Sequence, residues 1–232
     1  MNPILEKIKG GLIVSCQALE GEPLHGPIFM KKMALAAFQG GAVGIRANGP
    51  ADIYEIKTEV SLPVIGLYKK NYPDSDVFIT PTLREVHEIV EAGADIIAFD
   101  ATFRKRPFGK TLEQFYCEIK EQFSDILLMA DVSTFAEGLN AYRLGVDLIS
   151  TTLSGYTPYT AHIQSFDEEL LVQLVKNVDC PVIAEGRVDT PELAAKCLRL
   201  GAYSVVVGSA ITRPQEITKR FVKEIENLSL SK

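Results

Sequence analysis

Two stretches near the C-terminal end of the chain decide its fold: PVIAEGRVDT at 181–190 and SVVVGSAITRP at 204–214. Each is a short apolar run that leads through a glycine into the start of a helix. Consecutive strand–glycine–helix units of this kind are typical of the last two βα units of a (β/α)8 barrel, whose seventh and eighth loops commonly bind phosphate. Backbone N–H groups at such turns and helix N-termini face the anion. The two stretches therefore predict a phosphorylated small molecule as ligand, with Glu185 beside it at the catalytic rim.

Eight apolar runs occur along the chain, and helical patterns separate them. The runs are rich in β-branched residues and do not clearly alternate with polar ones, as expected of parallel strands that are covered on both faces. Regular alternation of strands and helices predicts βαβ crossovers and a parallel sheet. The predicted strands are 12–16, 42–46, 64–68, 96–99, 126–129, 148–150, 182–184 and 205–207.

Three of the helical patterns end in a similar phrase that contains glycine: EAGAD at 91–95, RLGVD at 143–147 and RLGAY at 199–203. Glycine suits the left-handed position that closes a helix before the next strand. The clearest predicted helices are 82–92, 112–123, 135–144, 168–176 and 191–200.

The length of 232 residues fits eight βα units, so a single (β/α)8 TIM barrel over 1–232 is the preferred fold, with a doubly wound open sheet as the alternative. No low-complexity linker or break in composition divides the chain. A last helix, at about 214–227, is expected to pack on the barrel exterior or against a second subunit, as in a homodimer.

Composition excludes several classes of function. Hydrophobic residues make up 47% and charged residues 23% of the chain, and the net charge of -6 gives no support for nucleic-acid binding. No stretch approaches the roughly 20 apolar residues that span a bilayer, and the N-terminal apolar run is too short for a secretory leader. The four cysteines form no CxxC pair. A reducing cytoplasm is the expected location.

The carboxyl ends of barrel strands carry catalytic groups, so these ends supply the candidate residues. Lys69 follows the apolar run PVIGLY and is expected to face a ring that contains Asp100, Asp131 and Glu185. Desolvation and a nearby cation such as Arg46 would lower the pKa of this lysine, whereas the carboxylates would raise it. Such a lysine can be a proton-transfer base or a Schiff-base nucleophile, and both roles stay open at this point.

A metal site is not expected. The chain has three histidines, and they form no cluster with carboxylates that resembles a catalytic metal centre. Asp100 and Asp131 could hold a hard cation such as Mg²⁺, but hydrogen bonding of Asp131 to a substrate hydroxyl or a lysine is the simpler interpretation. The basic run RKRPFGK at 104–110 is expected to be a solvated loop.

Seven motifs together resemble the bacterial N-acylglucosamine-6-phosphate 2-epimerases, which are the N-acetylmannosamine-6-phosphate 2-epimerases of sialic acid (N-acetylneuraminate) catabolism. SCQALEGEPL and GIRANG are the most distinctive parts, and the resemblance extends over nearly the whole chain. The motifs are IVSCQALEGEPL (13–24), GIRANG (44–49), PVIGLYKK (63–70), ITPT (79–82), MADVST (129–134), AEGR (184–187) and VVGSAIT (206–212).

The resemblance implies an isomerase that inverts C2 of an amino sugar 6-phosphate by removing and returning a proton. It implies that Lys69 abstracts and returns protons and that Glu185 is its acid/base partner. It implies no cofactor, because the aldehyde next to C2 provides the electron sink. The binding residues that it implies are Gln17, Arg46 and Asp131, which orient the sugar and its acetamido group, and Gly186, Arg187, Gly208 and Ser209 on the phosphate loops.

Two alternatives remain at this point. The first is another phosphate-binding barrel enzyme, similar to ribulose-phosphate epimerase or thiamine-phosphate synthase, although the former typically uses metal-binding histidines. The second is a catalytically silent sugar-phosphate sensor. A sensor needs only the phosphate loops, so the presence of Lys69, Asp131 and Glu185 together favours an enzyme.

Overall fold

Eight parallel strands form a closed barrel in a computed structural model, which describes residues 2–230. Each strand pairs with the next along the chain, and β8 returns to pair with β1. This closure confirms the (β/α)8 prediction and excludes the open sheet. The strands are β1 Leu12–Cys16, β2 Gly44–Asn48, β3 Val64–Leu67, β4 Ile96–Asp100, β5 Leu127–Asp131, β6 Leu148–Ser150, β7 Val182–Ala184 and β8 Ser204–Val207.

Helices connect the strands on the outside of the barrel, and two further helices follow β8. One short 3-10 turn, Pro107–Gly109, lies between β4 and the next helix. The α-helices are α1 Pro3–Ile8, α2 Pro27–Gln39, α3 Pro50–Glu59, α4 Leu83–Glu91, α5 Leu112–Gln122, α6 Phe135–Leu144, α7 Glu168–Asn177, α8 Pro191–Arg199, α9 Ser209–Thr212 and α10 Pro214–Leu230.

The predicted elements agree with these bounds to within about two residues, except that α10 extends three residues beyond its predicted end. Strands β2, β4 and β5 run further than hydrophobicity suggested, since their ladders continue through Asn48, Asp100 and Asp131. The three predicted helix-closing glycines have left-handed backbones, with φ of 94° at Gly93, 93° at Gly145 and 101° at Gly201.

Alternate residues of every strand face the barrel axis, because side chains of a strand point to opposite faces in turn. Apolar side chains such as Ile13, Ile65, Met129 and Ile183 fill the lower part of the barrel interior. The same alternation, followed toward the carboxyl ends, places a layer of small and polar residues above this core. These residues are Ser15, Arg46, Lys69, Asp100, Asp131, Thr152, Glu185 and Gly208.

The loop after β4 differs from its prediction as a solvated basic run. Arg104 Nη2 lies 2.5 Å from Asp100 Oδ2, and Asp100 is fully buried. Arg106 is also buried, donates to the Asp100 carbonyl and lies over the Phe115 ring at 4.3 Å. Asp100 belongs to the inward-facing layer, but these contacts occupy its carboxylate. It therefore supports the loop after β4, whereas the sequence predicted it in a ring that faces Lys69.

The last helix, α10, has apolar side chains that remain in water. Phe221 is 69% exposed, and Val222, Ile225 and Leu228 are exposed as well. Neither this helix nor any other within 2–230 is long and apolar enough to cross a membrane.

Candidate active site

A cavity of about 570 Å³ opens at the carboxyl end of the barrel, above the apolar interior. Its walls come from the ends of six strands and from the first turns of α10. The polar residues at its floor and sides include Ser15, Gln17, Arg46, Lys69, Thr152, Glu185, Arg187, Ser209 and Arg213.

Arg46 holds two carboxylates at the base of this cavity. Its side chain is 1% exposed and donates from Nη2 to Asp131 Oδ2 at 2.5 Å and from Nη1 to Asp131 Oδ1 at 3.1 Å. The same Nη1 lies 2.5 Å from Glu185 Oε2. Burial alone would lower the pKa of Arg46, but the charges of Asp131 and Glu185 outweigh it and raise this pKa. The guanidinium therefore stays charged and fixes both carboxylates in position.

Glu185 differs from Asp131 in having a partly exposed side chain that reaches the cavity. Its backbone is held by Thr151, whose Oγ1 accepts from the Glu185 amide at 3.0 Å and donates to the Glu185 carbonyl at 2.7 Å. Burial raises the pKa of the Glu185 carboxyl, against the lowering effect of Arg46. A carboxyl group with a raised pKa holds its proton more readily than an ordinary glutamate and can serve as a proton donor.

Lys69 faces the cavity, and its neighbour Lys70 does not. The Lys69 amide donates to Asn48 Oδ1 at 2.8 Å, and Lys69 forms an isolated antiparallel bridge with Ile79. These contacts fix the backbone just beyond β3. Lys70 is exposed and places its ammonium 4.5 Å from the centre of the Tyr68 ring.

Three effects lower the pKa of Lys69 to about 8: burial, the charge of Arg46 and the charge of Arg213. Glu185 and Asp131 act in the opposite direction but do not cancel these effects. A lysine with this pKa has a substantial neutral fraction near pH 8 and can accept a proton there, as a general base requires.

Lys69 and Glu185 come from opposite sides of the barrel. In the closed order β1 to β8, three strands separate β3 from β7 in either direction. Both side chains belong to the layer that faces the axis, and both line the cavity. A carbon atom held near the axis would therefore have the amine on one face and the carboxyl on the other.

Gln17 places its side-chain amide in the cavity wall beside Ser15. Its Nε2 donates to Ser15 Oγ at 2.9 Å, and its Oε1 is buried with no hydrogen-bond partner among residues 2–230. An unsatisfied buried acceptor in a cavity wall favours a ligand that donates a hydrogen bond, because leaving the group unpaired costs free energy.

The two glycine loops meet at one end of the cavity. Gly186 has φ of 96°, a conformation that side chains rarely adopt. A Cβ at Gly208 would lie 3.4 Å from Ser15 Cβ, so this backbone runs close to β1. Ser209 begins α9, whose first amides have no acceptor within the helix.

Arg187 has a different environment from the one that its motif suggested. Its Nη1 donates to the Ser154 carbonyl at 2.9 Å and its Nη2 to the Gly155 carbonyl at 3.0 Å. The guanidinium also lies over the Tyr156 ring at 4.1 Å. These contacts tie the loop between β6 and α7, at 151–167, to the loop after β7.

Arg213 is a cavity residue that the sequence analysis missed. Its Nη2 lies 3.2 Å from Glu22 Oε1, and its Nη1 donates to Ser209 Oγ at 3.3 Å. Arg213 lies in the stretch SVVVGSAITRP at 204–214, four positions after Ser209. Arg213 directly follows the short helix α9, so a basic residue just after the predicted phosphate loop was the usable signal.

Within the described range 2–230, no group of three or more His, Cys, Asp or Glu side chains could hold a metal ion.

Comparison with known proteins identifies relatives over nearly the whole chain. A model of the family described as "Putative N-acetylmannosamine-6-phosphate epimerase" matches residues 30–227. A relative from Caldanaerobacter subterraneus subsp. tengcongensis, named "Putative N-acetylmannosamine-6-phosphate 2-epimerase", is 59% identical over 96% of this chain and 94% of its own.

Solved structures agree with these relatives. The N-acetylmannosamine-6-phosphate 2-epimerase from Clostridium perfringens superimposes with a TM-score of 0.92 and 54% identity, over 96% of each chain. Thiamine phosphate pyrophosphorylase from Pyrococcus furiosus superimposes with a TM-score of 0.61 and 19% identity over 93% of each chain, which is a likeness of fold alone.

Proposed function

The chain belongs to the N-acetylmannosamine-6-phosphate epimerase family, and we propose that it interconverts N-acetylmannosamine 6-phosphate and N-acetylglucosamine 6-phosphate. The two sugars differ only in the configuration at C2. That carbon lies next to the aldehyde of the open-chain form, so removal of its proton gives an enolate. Return of a proton to the opposite face inverts the centre.

The observation that carries this proposal is the position of Lys69 and Glu185 on opposite walls of one cavity. Inversion by two groups uses a proton acceptor on one face of the carbon and a proton donor on the other. The lowered pKa of the amine and the raised pKa of the carboxyl bring their proton affinities closer together, so the two groups can exchange these roles. In this proposal Lys69 removes the C2 proton of one epimer, and Glu185 supplies a proton to the other face.

One shared proton serves both directions of the reaction. When Lys69 is neutral and Glu185 is protonated, the epimer whose C2 proton faces Lys69 can react. When Lys69 is charged and Glu185 is ionised, the other epimer can react. Both forms carry one proton on the pair, so the pair titrates as a unit and a single pH range supports both directions.

Arg46, Asp131 and Gln17 would orient the sugar in this scheme. Arg46 fixes Asp131 and Glu185 together, and its charge favours the negative charge that develops on the enolate. The unpaired Oε1 of Gln17 can accept from a sugar hydroxyl or from the acetamido N–H.

The phosphate would lie at the end of the cavity formed by Gly186, Gly208 and Ser209. Backbone amides at such turns bind anions, and Arg213, between α9 and α10, supplies a positive charge. Arg187 belongs to this end as well, but its guanidinium already binds carbonyls of the 151–167 loop. We therefore assign Arg187 to holding that loop and Arg213 to the phosphate.

No cofactor or metal takes part in this mechanism. The aldehyde of the substrate delocalises the charge, so Lys69 can act as a base without forming a Schiff base. We place the reaction in N-acetylneuraminate catabolism and in the cytoplasm, in keeping with the family and with four cysteines that are all free.

We further propose that α10 forms a homodimer contact with a second copy of this chain. At about 100° per residue, Phe221, Val222, Ile225 and Leu228 share one side of the helix, and all four are exposed. Sedimentation of wild type and Phe221→Asp tests this, with Lys223→Asp on the opposite side as control. Dimers in wild type and control but monomers in Phe221→Asp support the proposal, whereas a monomeric wild type contradicts it.

The catalytic proposal is tested by supplying each sugar phosphate separately to the purified protein. Proton NMR should show both reactions approaching the same mixture of epimers. Failure to convert either sugar phosphate would contradict the proposed function.

A further inference from the structure

Thr152 occupies a central position among the acid groups of the cavity. Its Oγ1 lies 2.8 Å from Asp131 Oδ1, 2.9 Å from Glu185 Oε2 and 2.8 Å from Ser150 Oγ. Arg46 Nη1 donates to the same oxygen at 3.2 Å. No other hydroxyl in the cavity bridges both carboxylates of the Arg46 cluster within the described part of the chain.

This hydroxyl has more neighbours than it can bind at one time. A threonine hydroxyl donates one hydrogen bond and accepts two, whereas four polar atoms surround Thr152 Oγ1. Its single proton can point to Asp131 or to Glu185, but not to both. The hydrogen bonds of the Thr152 hydroxyl can therefore be made in two alternative ways, and the protonation state of Glu185 selects between them.

When Glu185 is ionised, Thr152 donates to it and accepts from Arg46 and Ser150. When Glu185 is protonated, its own proton can point to Thr152, which then turns its hydroxyl proton toward Asp131. Each state gives Glu185 a hydrogen-bond partner at the same oxygen. The carboxyl group can then gain or lose a proton without moving.

We propose that Thr152 is a positioning residue that holds Glu185 in one place while the carboxyl alternates between acid and base. The inference rests on the proposed function, because it matters only if Glu185 transfers protons during turnover. Thr152 does not itself transfer a proton to the sugar in this scheme.

The charged groups that face Glu185 set the expected effect of losing the hydroxyl. They are Arg46 from β2, Lys69 beyond β3 and Asp131 from β5. The bond from Thr152 to the ionised Glu185 carboxylate is charge-assisted and stabilises that form. Removing it should raise the pKa of Glu185 further, because the ionised form loses a donor.

Replacement of the hydroxyl by a methyl group of similar size tests the proposal. In Thr152→Val we expect kcat to fall by about tenfold, the loss expected for a hydrogen bond to a charged group. KM should change little, and the acidic limb of the pH–rate profile should move to higher pH. Thr152→Ser keeps the hydroxyl and should restore both kcat and the limb, while Thr58→Val on the exposed side of α3 serves as the matched control.

Three outcomes would overturn the inference. In the first, Thr152→Val keeps the wild-type kcat and pH profile. In the second, Thr152→Ser is as impaired as Thr152→Val, which would indicate packing and not the hydroxyl. If Thr152→Val fails to fold by circular dichroism, Thr152→Ala takes its place with the same expectations. In the third outcome, a folded wild type converts neither sugar phosphate, and the proposed function fails as well. If the wild type is active and either of the first two outcomes is observed, only the inference about Thr152 fails and the proposed function stands.

Discussion

Lys69 and Glu185 lie on opposite walls of the barrel cavity, one beyond β3 and the other beyond β7. The closed eight-strand order imposes this opposition, because β7 is four positions from β3 in both directions. Inversion of a carbon atom by two groups places one of them on each of its faces. The topology of the barrel thus supplies the spatial requirement of the reaction before any side-chain detail is considered.

Lys69→Ala should lower kcat by at least about 10²-fold, since general-base catalysis contributes on that scale. The substitution removes the amine that is proposed to face C2 and leaves the backbone contact with Asn48 in place. Lys70→Ala is the matched control, because this exposed neighbour should retain near wild-type turnover. Steady-state kinetics of the two variants check the prediction. Equal losses in both, or in neither, would contradict the assignment of the base.

The pH dependence of kcat/KM should be bell-shaped in both directions. Above about pH 8, the shared proton is lost as Lys69 reaches its lowered pKa, so activity should fall on the alkaline side. At low pH the pair gains a second proton as Glu185 is protonated, so activity should fall there too. A profile measured from pH 5 to 10 for each sugar phosphate checks this. An alkaline limb that stays at the ordinary lysine pKa would contradict the lowered value.

The phosphate site should affect binding more than chemistry. Arg213→Ala removes the cation beside Ser209, and Gly208→Val places a side chain against Ser15. Both should mainly raise KM. N-Acetylmannosamine without its phosphate should also react poorly, because remote binding energy helps to hold the reacting carbon. Lys219→Ala, an exposed change on α10, provides the control. Equal efficiency on the phosphorylated and unphosphorylated sugars would contradict the phosphate site.

Removal of divalent metal should leave activity unchanged. In the proposed mechanism Arg46 and neighbouring donors stabilise the charge of the enolate, so a metal ion is not required. Dialysis against EDTA followed by assay checks this expectation. A loss of activity that Mg²⁺ or Zn²⁺ restores would require Asp131 or Glu185 to be a metal ligand.

Much of the fold could be predicted because barrel strands are encoded locally, as buried β-branched runs, with glycine closing several of the intervening helices. Strand ends were less predictable, since ladder pairing continues through polar residues such as Asn48 and Asp131. The position of Lys69 just after strand 3 predicted that it faces the axis, and its side chain lines the cavity. Period-two alternation also places Thr152, two residues after Ser150, toward the axis. The polarity of the strand end alone did not distinguish Thr152 from Thr151.

Other features depend on tertiary contacts that no local pattern encodes. The sequence predicted solvated side chains for Arg104 and Arg106. In the structure Arg104 pairs with the carboxylate of the buried Asp100, and Arg106 donates to the Asp100 carbonyl. Arg187 stands in a phosphate-loop motif, but carbonyls of a loop 32 and 33 residues earlier in the chain bind its guanidinium. These pairings arise only when distant segments meet at the rim of the barrel.

Isotope exchange at C2 tests the opposed acid–base pair most directly. In D₂O, early product should carry deuterium at C2, whereas recovered substrate should keep its proton. Glu185→Gln should then exchange the C2 proton of the one epimer that faces Lys69 without inverting it. Proton NMR of C2 follows both reactions. Product formed without solvent deuterium, or inversion by Glu185→Gln at the wild-type rate, would contradict proton transfer between Lys69 and Glu185 across the barrel.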